Sequence, residues 1–246
     1  MDRLAYLASA GAKQLLHRQE TIAHNLANAN TTGFRADLDA FRAVPVQGPG
    51  QGTRVFVAES TPGFDSTPGA LQATGRNLDV AIEGDGYLVV EARDGGEALT
   101  RAGSLEVGTD GTLRTNTGLA VQGDGGPITV PENSRLMIGR DGTVSAVAAG
   151  NSKSVNVVGR IKLVNPPAAS LVKGGDGLLR TNDGSAPAAD PAVKLVDGTL
   201  EGSNVNMVDA LVGMISVARQ FETQMRLMST AEQNSRDANK LLSANG

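Results

Sequence analysis

The stretch Leu200–Leu242, LEGSNVNMVDALVGMISVARQFETQMRLMSTAEQNSRDANKLL, decides the fold. After Met207 it contains no proline and a single glycine, Gly213. Its apolar residues Met207, Leu211, Met214, Ala218, Phe221, Met225 and Met228 are separated by alternating gaps of four and three, the spacing of one seam on a long helix. Ser203 or Asn206 can accept hydrogen bonds from the first free amides, and Asp209 stands where a capping acid would stand. Glu222 with Arg226, and Glu232 with Arg236, are acid-before-base pairs four apart on the outer face. From Asn206 to Leu242 the helix would run roughly 55 Å. A helix of that length with one apolar stripe needs a partner to cover it.

The segment that fits as partner lies at the other end of the chain. Asp2–Asn28, with Ala29 just after it, is expected to carry Leu4, Ala8, Gly11, Leu15, Ile22, Leu26 and Ala29 on one face. Asn25, Asn28 and Asn30 crowd its end, where amide side chains suit the exposed backbone, and Gly33 reads as the stop. Thr21, Asn25 and Asn28 form a polar stripe beside the apolar one, able to exchange amide hydrogen bonds with a neighbouring helix. The two ends are expected either to close on each other as a helical hairpin or to pack against copies of themselves. The seam alone does not separate the two.

Bulk properties narrow the function. The chain has 246 residues, 40% hydrophobic and 20% charged, enough for one large domain or two smaller ones. Its net charge is -4, from 22 basic and 26 acidic residues, and aromatics make up 3% with no Trp. That balance removes the electrostatic and stacking arguments for nucleic-acid binding, and no basic block argues for a membrane surface. With no cysteine, disulfides, thiolate metal sites and thiol nucleophiles are excluded. No run approaches the ~18 apolar residues of a spanning helix. The opening residues mix Lys13, His17, Arg18 and Glu20 into the apolar pattern, unlike a cleavable signal peptide.

Between the helical ends the pattern changes. Phe41–Leu78 contains Pro45, Gly48, Pro49, Gly50, Gly52 and two T-P-G triplets, Thr61–Gly63 and Thr67–Gly69, with a strand expected over Thr53–Ala58. From Asn77 onward, short alternating segments are separated by turn signals. LDVAI (78–82) and YLVVE (87–91) flank Gly84-Asp85-Gly86, which reads as a hairpin turn. SLEV (104–107), ITV (128–130), LMI (136–138), TVSAV (143–147) and VNVVGRIKLV (155–164) supply further strands, and Val193–Val196 a last one. Asp-Gly-Thr at 110–112, 141–143 and 197–199 reads as turns; Gly184–Pro191 reads as a loop. Strands at this spacing imply an antiparallel sandwich, barrel or rolled sheet. The expected fold is therefore α+β: long N- and C-terminal amphipathic helices forming a coiled-coil-like layer, with an inserted antiparallel β-rich domain. Residues 1–35 and 200–246 would form the terminal helical part, 36–76 a Pro/Gly-rich linker, and 77–199 the β-rich domain.

Ala23–Arg35, AHNLANANTTGFR, strongly resembles the N-terminal signature of the flagellar rod and hook family of axial proteins. Asn25, Leu26, Ala27, Asn28, Thr31, Gly33, Phe34 and Arg35 match it position by position. LEGSNVN (200–206), followed by Met214-Ile215, Arg219 and Phe221-Glu222, resembles the family's C-terminal signature. FRADLDAFRAVPV (34–46), the two T-P-G triplets, GPITVP (126–131) and GRIKLV (159–164) resemble the proximal-rod branch, with the distal rod as near neighbour.

The resemblance implies a structural subunit of the basal-body rod. It would be exported without a cleavable signal by the flagellar type III apparatus and added to the shaft that crosses the periplasm. The end helices would form an inner coiled-coil layer around the channel, and the shaft would transmit torque from motor to hook. Its partners would be copies of itself, the proximal-rod proteins FlgB and FlgC, the distal-rod protein FlgG and the export apparatus, with no nucleic acid and no membrane insertion. The expected assembly residues are Leu4, Leu15, Ile22, Asn25, Leu26 and Asn28 on the first helix, Gly33 and Phe34 after it, and Asn204 and Asn206 before the second. On the second helix they are Leu211, Met214, Ala218, Phe221, Met225 and Met228.

The residues do not spell a catalytic or cofactor site, and the chain reads as non-enzymatic with no cofactor. His17 and His24 share a helix face without the further ligands of a metal site. Lys173-Gly174-Gly175-Asp176-Gly177 lacks the spacing and context of a phosphate loop. Glu83, Asp85 and Glu91 cluster in sequence, but acids in turns are far commoner than paired catalytic carboxylates.

Overall fold

The computed structural model of the chain describes residues 2–39, 41–45, 55–59, 63–148 and 155–244. It is an α+β protein with a helix at each end, α1 (Asp2–Ala27) and α2 (Met207–Ala244), and antiparallel strands between them. The chain divides into two compact units. The first comprises Met1–Ala29, Phe41–Ser60 and Val205–Gly246; the second comprises Asn30–Ala40 and Thr61–Asn204.

In the first unit α1 and α2 pack against each other in an antiparallel sense. The position of a Cβ on Gly11 would lie 3.5 Å from the side chain of Gln224, and one on Gly213 would lie 3.4 Å from Ile22 Cδ1. Both distances are ordinary van der Waals contact, so the helices touch side chain to backbone at both levels. Val217 is buried at this face, and Ala210, Met214, Phe221, Gln224, Met228 and Ala231 are half-buried around it. Positions 210, 214, 217, 221, 224, 228 and 231 follow the four-three spacing, one step around the helix from the expected stripe. Met214, Phe221 and Met228 belong to both. Met207, Leu211, Ala218 and Met225 remain exposed. Apolarity alone selects the adjacent stripe, because the covered one includes Ala210, Gln224 and Ala231, which add little to a hydrophobic count.

The start of α2 is fixed by Asn206, whose Oδ1 accepts from the amides of Val208 (3.0 Å) and Asp209 (3.3 Å). Those are two of the amides that a helix start leaves free. The same unit holds an antiparallel pair, Phe41–Pro45 with Val55–Glu59. Pro45, at the end of that ladder, opposes Val55, a position compatible with its missing N–H. Of the expected strand over 53–58, Thr53 and Arg54 lie outside the described residues, as do Gly48, Pro49, Gly50, Gly52 and Thr61-Pro62.

The second unit is built around a five-stranded antiparallel sheet. Its spatial order is Leu163–Val164, Tyr87–Glu91, Glu97–Thr100, Leu179–Thr181, Leu171–Lys173. Tyr87–Val90 is buried on both faces: Tyr87 and Val89 pack with Leu99, Val164, Leu171 and Leu179, while Leu88 joins the larger core. That core runs through Val80, Leu105, Leu113, Val121, Val144, Ile161 and Leu195, each worth about 1.5–3 kcal/mol when fully withdrawn from water. A three-stranded sheet, Ser134–Ile138, Thr143–Ala148 and Val155–Arg160, turns Leu136, Ile138, Val144 and Ala146 to this core.

Two sequence expectations are corrected here. LDVAI and YLVVE do not form a hairpin. Val80–Glu83 pairs with Lys194–Asp197, and Tyr87–Glu91 pairs with Glu97–Thr100 and Leu163–Val164. The glycines at 84 and 86 carry the chain from one sheet to another, and their carbonyls are taken by a side chain from elsewhere. ITV (128–130) is not a strand: it has one isolated bridge, Thr112 to Thr129, with Ile128 and Val130 still buried on its inner side. The Asp-Gly-Thr segments are turns, with Asp110 and Asp141 each accepting from the amide two residues on.

Candidate functional site

Gly33-Phe34-Arg35 and Leu200–Asn204, the inner ends of the two sequence signatures, meet in the second unit. Glu201 is 1% exposed and uses both carboxylate oxygens on cations. Oε1 is 2.7 Å from Arg35 Nη1, and Oε2 accepts from Arg101 Nη1 at 2.8 Å. Oε1 also accepts from the Gly69 amide at 2.9 Å, and the Glu201 carbonyl from the Gly33 amide at 2.8 Å. Arg101, itself buried, donates to the carbonyls of Gly86 (2.9 Å) and Gly84 and lies 5.5 Å from the Tyr87 ring centroid. Arg35 Nη1 also donates to Thr67 O at 2.6 Å, while its Nε is buried without a hydrogen-bond partner.

Lys173 and Asn204 complete the clasp. Lys173 Nζ stands 3.8 Å from the Phe34 ring centroid and donates to Arg35 O (2.7 Å) and Asp37 Oδ1 (2.6 Å). Asn204 Oδ1 accepts from the Ala36 amide at 2.7 Å, and its Nδ2 donates to Asp65 O and Thr67 O at 3.0 Å each. The Asn204 amide reaches Phe34 O at 3.3 Å. One amide side chain therefore stitches together segments 34–36, 65–67 and 204.

Three buried or nearly buried cations face two acids, so the cluster carries excess positive charge. Burial pushes the Arg35 guanidinium below its ordinary pKa, with nearby Arg101 adding to the effect and Glu201 opposing it. Burial pushes the Tyr87 phenol above its ordinary value, which leaves a neutral ring beside Arg101. In such a place an ion pair is held by geometry and supplementary hydrogen bonds, and removing one partner is costly.

The backbone demands glycine at two points. Gly33 has φ +69°, and a Cβ there would fall 2.2 Å from the Arg101 carbonyl carbon; on Gly69 it would fall 2.1 Å from Gly202 O. Gly33 is therefore not the helix stop expected from sequence. α1 ends at Ala27, and Asn28 caps that end by donating from Nδ2 to His24 O at 2.9 Å.

Gly33, Phe34 and Asn204 thus come together in the clasp. Leu15, Ile22, Asn25, Leu26 and Asn28 are half-buried on or just after α1, and Leu4 lies in α1. Asn206 caps α2. The sequence reading missed Arg101, Glu201, Lys173 and Gly69 as site residues. Arg35 and Glu201 stood inside the quoted signatures; Arg101 and Lys173 had no local signal, since their ion-pair partners are a hundred or more positions away.

The suspected chemical clusters dissolve. Glu83 pairs with Arg140 at 2.7 Å, and Glu91 accepts from Gln122, so these two acids do not converge. Lys173–Gly177 forms a turn in which Asp176 binds Arg180. Among the described residues no group of three or more His, Asp or Glu could hold a metal ion, and no helix is long and apolar enough to cross a membrane.

Comparison with known proteins places these features. Residues 6–35 match the flagella basal body rod protein family, 81–146 the flagellar hook protein FlgE/F/G D1 domain, and 196–241 the flagellar basal body rod FlgEFG protein C-terminal family. The chain is 48% identical to the flagellar basal-body rod protein FlgF of Salmonella typhimurium, across 99% of both chains. The chain belongs to the FlgF family of flagellar basal-body rod proteins. The FlgF of Escherichia coli is 46% identical over 99% of both chains. The flagellar basal-body rod protein FlgG of Bacillus subtilis is 33% identical over 95% of this chain and 96% of its own length. In this FlgF-family chain the two outer family matches each reach into the clasp, through Gly33–Arg35 and Glu201–Asn204.

Proposed function

We propose that this chain polymerises through its terminal helices into the axial shaft that carries torque from motor to hook and encloses the export channel. As a member of the FlgF family it is a structural subunit of the flagellar basal-body rod and associates with other axial proteins. In the finer reading its neighbours are copies of itself, the proximal-rod proteins FlgB and FlgC, and the distal-rod protein FlgG. The type III apparatus exports it to a rod that crosses the periplasm. Residues 1–35 and 200–246 carry assembly and form a coiled-coil-like inner layer, 36–76 link, and 77–199 form the β-rich body. The role is structural, with no catalytic step.

The observation that carries this reading is the second apolar stripe of α2. Val208 is 67% exposed, Val212 61% and Ile215 56%, with Leu211 exposed beside them and Met225 exposed further along the helix. α1 already covers the adjacent stripe. A contiguous exposed apolar face on a chain of an axial family is a surface for neighbouring subunits. Leu211→Asp and Met225→Asp test it. Both sites are exposed in the monomer, so the variants fold normally by circular dichroism, yet are absent from purified basal bodies and do not support swimming. Wild-type swimming in both would overturn the reading.

A further inference from the structure

Glu201 is the acid that both buried guanidiniums share, and among the described residues no other carboxylate touches either one. Arg35 and Arg101 are otherwise held by backbone carbonyls, Thr67 O for the first and Gly84 O and Gly86 O for the second. We infer that Glu201 is the keystone of a conformational lock: two arginines from the earlier chain stay mutually repulsive until residue 201 arrives between them. Closing it then fixes segments 33–36 and 201–204 in register.

The electrostatics set an order of damage. Removing Arg35 leaves Glu201 with Arg101, a compensated pair. Removing the charge of Glu201 leaves two desolvated cations facing a neutral amide, which is the expensive case. The same logic predicts a sign that packing alone would not. Deleting Arg35 from a chain that already lacks the Glu201 charge relieves repulsion, so the second substitution repairs part of the first. The position of Glu201 late in the chain gives the lock its use. A chain is completed from its N-terminus, so this edge of the sheet unit stays open until nearly the whole sequence is present. The lock thereby registers the segments next to the two helices only once residues 201–204 are present.

The test uses the full-length free subunit, so its outcome does not depend on the assembly reading. Amide exchange is followed at Gly33 and Gly69, whose N–H groups donate to Glu201, with Val89 and Leu99 in the central sheet as reference. Glu201→Gln is expected to speed exchange at Gly33 and Gly69 by on the order of 100-fold or more relative to the reference. Arg35→Met is expected to speed it by on the order of 10-fold or less. Arg35→Met/Glu201→Gln should be slower-exchanging than Glu201→Gln alone. If Glu201→Gln does not fold, recovery of a folded chain in the double variant is the supporting result. A double variant as damaged as, or worse than, Glu201→Gln, including failure of both to fold, overturns the inference. So does unchanged exchange in Glu201→Gln.

Discussion

Arg35 and Glu201, one from each end of the sequence, lie 2.7 Å apart with 3% and 1% of their side chains exposed. The sheet unit therefore holds both chain segments that lead to the helices in one buried site, and its backbone is built to permit this. Gly33 sits at φ +69° against the Arg101 backbone. Gly33→Ala adds both left-handed strain and a backbone clash, so it should destabilise the subunit by on the order of 2–4 kcal/mol. Urea unfolding followed by circular dichroism measures it. A midpoint within error of wild type would show that the close approach is not maintained in solution.

Both halves of that contact were readable as motifs, but their meeting was not. Gly33, Phe34, Arg35 and the LEGSNVN segment stand out in the sequence as signatures, and the helices follow from a four-three apolar spacing. What a local reading misses is where those residues point. Gly33 looks like a helix stop because glycine after an amphipathic run usually is one; its real constraint is Arg101, a residue with no sequence signal of its own. Gly84-Asp85-Gly86 looks like a hairpin turn because two alternating segments flank it, but strand partners are set by the tertiary core. On α2 the covered stripe was displaced by one position because Ala210, Gln224 and Ala231 share it, and small or polar side chains on a covered face add little to a hydrophobic count.

Asn206 gives a local prediction. It holds the amides of Val208 and Asp209 at the start of α2. Asn206→Ala should cost about 1 kcal/mol and speed exchange at those two amides while leaving the sheet unchanged. Unaltered exchange at Val208 would mean that the first turn is held by something other than this cap.

Acid sensitivity follows from the Asp turns. Thr112, through its hydroxyl and amide, and then Arg114 hold the Asp110 carboxyl down at about 2, below its ordinary 3.8. Asp141 and Asp183 are lowered chiefly by Thr143 and Ser185 in the same way. Because these folded values are depressed, their stabilising contribution is complete above the unfolded value near 3.8. It is lost as pH falls below that value, for Asp110 toward about 2. Carboxyl NMR titration should place Asp110 near the lower limit, and Asp110→Asn should reduce the slope of stability against pH in that window. A titration midpoint near 4 would contradict the turn geometry.

The outer stripe of α2 is exposed in the subunit, and the proposed function requires it to be covered in the rod. The chain has no cysteine, so Val212→Cys introduces a single thiol on that stripe. Its rate of maleimide labelling should be fast in the free subunit and reduced on the order of tenfold or more in purified basal bodies, as expected for a side chain that moves from water into a packed interface. Equal labelling in the two states, with the variant present in the rod, would contradict the claim.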